Sequence, residues 1–245
     1  MQLVEVDDAH GVSAAVTTFT SESSSVQFVL VPVLPLGVPA HYDAVRERLR
    51  SCDLVVTMPR EAESSRATGV SGPERGSQWE RIARGRHIRL ITPPDVWNGT
   101  DRPFVTPPVV ATHAAAQGAR PARRSRLLVA LAPLRPLMAM VFARFGTRAT
   151  VAQMLAQHAS EALSQPLDRA FSPAFDWEPR YQLDAEQLAE TVRRVHAESQ
   201  APGMRVAVVH WVGVLPAIAR TLGALGYSAG DVEWITVFPW LADDA

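Results

Sequence analysis

Lysine is absent altogether: every one of the 24 basic residues is arginine. That excludes Schiff-base chemistry and a Walker-type phosphate lysine within the chain. Cysteine occurs once, at Cys52, which excludes an internal disulfide, a CxxC redox pair and a Cys-rich zinc site. An excess of one charge is also missing. The 24 basic residues face 25 acidic ones, leaving a net charge of −1, so no strong positive field is available to draw in nucleic acid. Long apolar runs are lacking as well. The most apolar stretch, Leu127–Phe142, is broken by Pro133, Arg135 and Pro136 and falls short of the ~20 residues a membrane-spanning helix needs. Met1–His10 has neither a basic n-region nor an apolar h-region, so no export signal is expected. These absences point to a soluble, cytoplasmic protein with no membrane or nucleic-acid partner.

What is present is enough for a packed domain. Apolar residues make up 47% of the 245 and charged ones only 20%, a balance that folds rather than staying disordered. A chain this long buries about 70–75% of its unfolded surface without needing disulfides or metal. Gln2–Val6 and Ala14–Thr20 are β-rich and flank the turn-like Asp7–Gly11, which predicts a hairpin. Val26–Leu34 is an almost continuous apolar run, the pattern of a strand buried on both faces. Pro39 then suits a first helical position, and Tyr42, Val45, Leu49 and Cys52 recur at helical spacing with Arg46, Glu47 and Arg50 opposite. Asp53–Met58 reads as a second buried strand, completing a βαβ unit.

The middle of the chain carries less pattern. Glu61–Gln78 is polar and reads as a loop, and Ile88–Ile91 as a strand. Residues 92–121 hold six prolines and read as an irregular excursion, the kind that serves as a lid. Leu127–Phe145 would form short helical pieces broken at its prolines. Thr150 is placed to cap a helix with Val151, Met154, Leu155, His158 and Ala162 on one face. Asp184, with Gln187 three residues on, is placed to cap another whose stripe is Leu188, Val192 and Val195. Arg205–Val212 reads as a buried strand. Leu215–Leu225 is a helix punctuated by Pro216 and Gly226, and Asp231–Trp240 is a last strand. The expected fold is therefore one α/β domain over residues 1–245, with a mainly parallel central sheet flanked by helices. Two βαβ-like halves and an N-terminal hairpin would make it up.

Three groups of residues resemble a known family. Val26–Val31, Gly37–Tyr42 and Cys52–Val56 look like the start of TraB/PrgY-type proteins, members of the wider TIKI and erythromycin-esterase-like superfamily. Val206–Val209, Gly213, Leu215–Ala219, Leu222, Leu225–Tyr227 and Glu233–Phe238 are similar to that family's closing strand–helix–strand. The resemblance covers residues 26–60 and 184–238. It implies metal-dependent or His/Glu-assisted hydrolysis through a first-loop G-x-x-H, a carboxylate ending the second strand, an E-R pair and a late G-x-x-H. Every one of these is altered here. The first Gly falls on Pro32 and its His on Pro35; the carboxylate falls on Met58. The E-R pair falls near Ala185-Glu186-Gln187 and keeps at best the glutamate, while the late His falls on Val214. Proline and valine neither ligate a hard metal nor carry a proton, and methionine offers only a soft thioether. The implied fold is kept and the parent reaction is lost.

Other motifs are wanting. There is no i, i+4 histidine pair, no G-x-G-x-x-G after a strand and no G-x-S-x-G elbow, so neither metal nor cofactor is expected. Glu61 and Glu63 read as a solvated pair, and Arg123, Arg124 and Arg126 as a solvated basic face. The polar groups left for a pocket are His41, Glu186 and His210. On a strand, His210 and Trp211 point to opposite faces, and His41 sits beside, not on, the core stripe of its helix. Pro35, Met58, Trp79, Trp211 and Val214 are the expected apolar walls. The expected function is a repurposed TraB-like protein that binds a small molecule or peptide in an apolar pocket, promoting a metal-free cyclisation or isomerisation by restraining its ligand. The alternative is a non-catalytic protein that binds a partner or ligand, and a homo-oligomer is compatible with either.

Overall fold

A computed structural model describes residues 2–7, 10–57, 90–91, 103–105, 147–149, 151, 178–199 and 201–240. Seven strands form one sheet. They are β1 (Val4–Asp7), β2 (Gly11–Ser21), β3 (Ser24–Val33), β4 (Leu54–Thr57), β5 (Phe104–Val105), β6 (Arg205–Trp211) and β7 (Ser228–Phe238). Among the described residues the helices with full bounds are α1 (Pro39–Arg50), α2 (Glu178–Glu198) and α3 (Leu215–Ala224). The path across the sheet is β1-β2-β3-β6-β4-β5, with β7 paired to β2.

The sheet is mixed, which corrects the expectation of a mainly parallel one. The β3–β6, β6–β4 and β4–β5 pairs are parallel, whereas β1, β3 and β7 all pair antiparallel with β2. The reason lies after α3. Gly226, in the left-handed region at φ 83°, turns the chain back, and β7 lies along β2 instead of joining β6. The closing strand–helix–strand is thus no βαβ unit. The opening one is, but its two strands are separated: β6 inserts between β3 and β4, with Phe28 level with Val206 and Leu54 level with the same residue on the other side.

Strand alternation sorts the core into two layers. Phe28, Leu30, Leu54, Val56, Val206 and Val208 face α2 and α3, packing with Leu188, Val192, Ile218 and Leu222. Val29, Val31, Val55, Ala207 and Val209 face α1, packing with Tyr42, Val45, Leu49 and Cys52. The continuous apolar runs seen in β3 and β6 follow from this double burial, and each Val or Leu so buried contributes about 1.5–3 kcal/mol. Gly11 (φ 105°) closes the β1–β2 turn, and a Cβ there would lie 2.3 Å from the Phe238 carbonyl oxygen.

Several boundaries move. α2 begins at Glu178, ahead of Asp184, because Pro179 suits the first turn of a helix. Arg148, Ala149 and Val151 are already helical, so that helix also starts before its expected cap. The excursion at 92–121 contains β5, paired with β4, and Ile91 forms a bridge to Gly37. Met58, Glu61, Glu63, Trp79, the arginines at 123, 124 and 126, and the Leu127–Phe145 pieces lie outside the described residues.

At the end of the sheet where the parallel strands begin, a clasp ties three elements together. The Tyr227 hydroxyl donates to Ser24 Oγ at 3.0 Å and lies 3.0 Å from His196 Nδ1; its ring also packs edge-on against Phe28. Tyr227→Phe keeps the ring and removes the hydroxyl, so we expect a loss of about 1–2 kcal/mol in urea unfolding. An unchanged midpoint would show that the clasp contributes nothing.

Candidate functional site

Adjacent parallel strands β3 and β6 send their chains to opposite faces: β3 leads into α1 and β6 into α3. Such a switch of direction opens a crevice at the carboxyl ends of the strands, the usual ligand position in α/β sheets. The sequence-level candidates fall here, on the ends of β3 and β6 and the turns that follow. Pro32 lies level with His210 and Val33 with Trp211. Pro35 is in the β3–α1 turn, His41 in the first turn of α1, and Val214 at the N-cap of α3.

They do not form one cluster. His210 follows Val206 and Val208 on the α2/α3 face, whereas His41 belongs to α1 on the other. The sheet stands between the two imidazoles. Glu186 is exposed on α2 and joins neither. Val214, 1% exposed, is a core residue among Ala185, Leu188 and Ile218. Leu34 and Leu36 from one turn and Val212 and Leu215 from the other pack with Leu3, Leu90, Val151 and Phe238. The deep part of the crevice is therefore occupied by side chains. What stays half-buried at its rim is Trp211, Gly213, Val38 and Trp240.

His41 is 1% exposed, which corrects its reading as a residue beside the core stripe. The ring is covered by Gly37, whose added Cβ would lie 3.2 Å from His41 Cδ2, and by Tyr42, edge-on at 5.1 Å. Neither ring nitrogen has a hydrogen-bond partner. Burial lowers its pKa from 6.5 to about 4, opposed weakly by the Thr236 backbone, which approaches the ring without reaching hydrogen-bond geometry. His210 is 9% exposed with an unpartnered Nδ1. Burial likewise lowers its pKa to about 4, opposed by the Trp211 backbone. Both rings are neutral near pH 7, and Nδ1 of His210 is enclosed without a hydrogen-bond partner. Tyr42 spends its hydroxyl on the Leu34 and Ile91 carbonyls, at 3.2 and 3.3 Å.

Arg148 was not singled out from the sequence, since a lone arginine in a weakly patterned region gives no signal. It is 6% exposed, and its Nη1 donates to the Pro239 carbonyl at 2.8 Å. Val151 on the same helical turn belongs to the buried cluster that holds Val212 and Leu215. Among the described residues no three of His, Cys, Asp and Glu lie close enough to hold a metal ion, and no helix is long and apolar enough to cross a membrane. No family model, no curated protein and no solved structure matches this chain.

The two imidazoles make stability depend on acid. Each has a folded pKa near 4 below an unfolded value near 6.5, so the unfolded chain takes up protons first. Their contribution is complete above pH 6.5, declines as pH falls towards 4 and is constant below that. The loss is at most about 3 kcal/mol per ring. Urea unfolding of His41→Phe and His210→Leu across this window should show a flatter pH profile than the parent; equal slopes would mean the rings are not sealed. Val214→Trp overpacks the core and should cost about 1–3 kcal/mol or more, read from the same unfolding curves.

Proposed function

We propose that this chain is a repurposed TraB-like protein that no longer hydrolyses through a metal and instead holds an apolar small molecule or peptide at the rim of the β3/β6 crevice. The observation that carries this is Trp211, half-buried at the carboxyl end of β6, where α/β sheets present ligands. Trp211 supplies the flat apolar wall, and Pro35 and Val214 hold the turns that frame it. His210 lies on the opposite face of β6 with its Nδ1 enclosed, and does not touch the ligand. With Pro35 and Val214 where the resembled family has its histidines, the chemistry open to the site is metal-free. Restraining a flexible ligand in a reactive conformer would favour cyclisation or isomerisation. His41, sealed in the first turn of α1, orders the β3–α1 turn and does not touch the ligand.

A second reading, a partner-binding protein without catalysis, has support from β7. Ser228–Trp234 are exposed on both faces, with Val232 and Trp234 at 49% and 41%. Against strand addition there, whether by a peptide or by a second copy, stand the register shifts in its pairing with β2 and the acidic pair Asp231 and Glu233, the latter bridged to Arg48. Bulges and edge charges are the means by which natural sheets discourage edge pairing.

A neutral dye separates the two readings. Phenylnaphthylamine brightens on entering an apolar site, and it should bind with one-to-one stoichiometry, weakening about tenfold or more in Trp211→Ala while Trp234→Ala has no effect. Binding that follows Trp234 instead would move the functional surface to β7 and reject the crevice.

A further inference from the structure

Three polar side chains form a hydrogen-bonded chain at the sheet end opposite the crevice, where β3 and β6 begin. Gly226, at φ 83°, ends α3 and sets Tyr227 in place, the Tyr227 N–H donating to the Leu222 carbonyl at 3.0 Å. The phenol ring is buried and held edge-on between Phe28 at 5.1 Å and His196 at 5.5 Å. Its hydroxyl is thereby fixed between Ser24 Oγ and His196 Nδ1, each 3.0 Å away.

The protons give this chain a direction. A phenol carries one proton, and Tyr227 donates it to Ser24, so His196 Nδ1–H is the donor to the phenol oxygen. Ser24 Oγ accepts a second time, from the Val26 N–H at 3.2 Å. Both lone pairs of that oxygen meet donors, and among the described residues no acceptor takes its own proton. Donors fixed around an oxygen favour its charged form, and successive bonds polarise one another. Ser24 itself is only half-buried. Its neighbours in the β2–β3 hairpin are arranged differently. Ser21 and Ser23 bond to each other at 2.9 Å, and Ser23 and Ser25 are exposed. Among the described residues none of these three is joined to a phenol or an imidazole.

We propose that Ser24 is an acyl-accepting nucleophile for small activated esters, with Tyr227 and His196 as its positioning residues. Ser24 Oγ bonds to the ester carbonyl carbon and the carbon–oxygen bond to the leaving group breaks. The leaving phenolate takes the bonding pair, and the serine proton passes to it through water. As that proton departs, the Tyr227 and Val26 donors already stand where charge develops on Oγ. Water then hydrolyses the acyl-serine and restores the hydroxyl. The site shares no residue with the crevice, so either can fail without the other.

Reaction with p-nitrophenyl acetate tests this, and the absence of lysine removes the usual competing acyl acceptors. Peptide mass mapping at early times should find acetyl on Ser24 about tenfold faster than on the more exposed Ser23 and Ser25, the effect of one to two added donors. Unfolding in urea should erase that preference. Tyr227→Phe, assayed where the fold is intact, should bring Ser24 down to the rate of its neighbours. His196→Leu should do the same, whereas His196→Asn, whose amide N–H stands in for Nδ1–H, should keep most of the preference. A clasp with a structural role alone would leave the ranking among the four serines unmoved. Acetylation of Ser23 and Ser25 as fast as Ser24, or a Ser24 preference that survives both Tyr227→Phe and His196→Leu, would overturn the proposal.

Discussion

The insertion of β6 between β3 and β4 is the constraint on which the remaining structure depends. A strand in that position has its backbone hydrogen bonds taken up on both edges and its side chains covered on both faces, so every residue from Val206 to Val209 must be apolar. Because parallel neighbours need crossover connections, helices must pass over both faces. That requirement brings α1 to one side and α2 and α3 to the other. Antiparallel pairing takes over only where β2 and β7 can be reached by turns.

The same insertion separates the chemistry. β3 sends its chain to α1 and β6 sends its chain to α3, and the histidine associated with each helix is sealed on that helix's own face. Two buried imidazoles at one end of a sheet might have formed an acid–base pair; with the sheet between them, each is a solitary neutral ring. Desolvation dominates both, since neither has a carboxylate neighbour to stabilise its cation.

Packing also fills the depth of the crevice with aliphatic side chains. Valine at the α3 N-cap forgoes a capping hydrogen bond but fills a gap between α2, α3 and the sheet. Leu34, Leu36, Val212 and Leu215 do the same for the neighbouring volume. The depth of the crevice is therefore core, and Trp211 and Gly213 stay half-buried at its rim.

Much of this was legible in the residues themselves. The runs at Val26–Leu34 and Arg205–Val212 required strands buried on both faces. The Tyr42–Cys52 spacing required a helix against a sheet, and Pro216 and Gly226 bracketed α3, because local steric and hydrophobic rules act over a few neighbours. Strand order was not legible. Nothing local distinguishes a β7 that pairs with β6 from one that returns to β2, so the mixed sheet emerged only from the fold. Nor did spacing reveal that His41 is enclosed: its cover, Gly37 and the Thr236–Val237 backbone, comes partly from residues almost two hundred positions away. The sequence by itself determined which segments would be strands and helices. Tertiary structure alone decided which face each histidine occupies, because that depends on the long-range order of strands, and with it whether the two could ever act together.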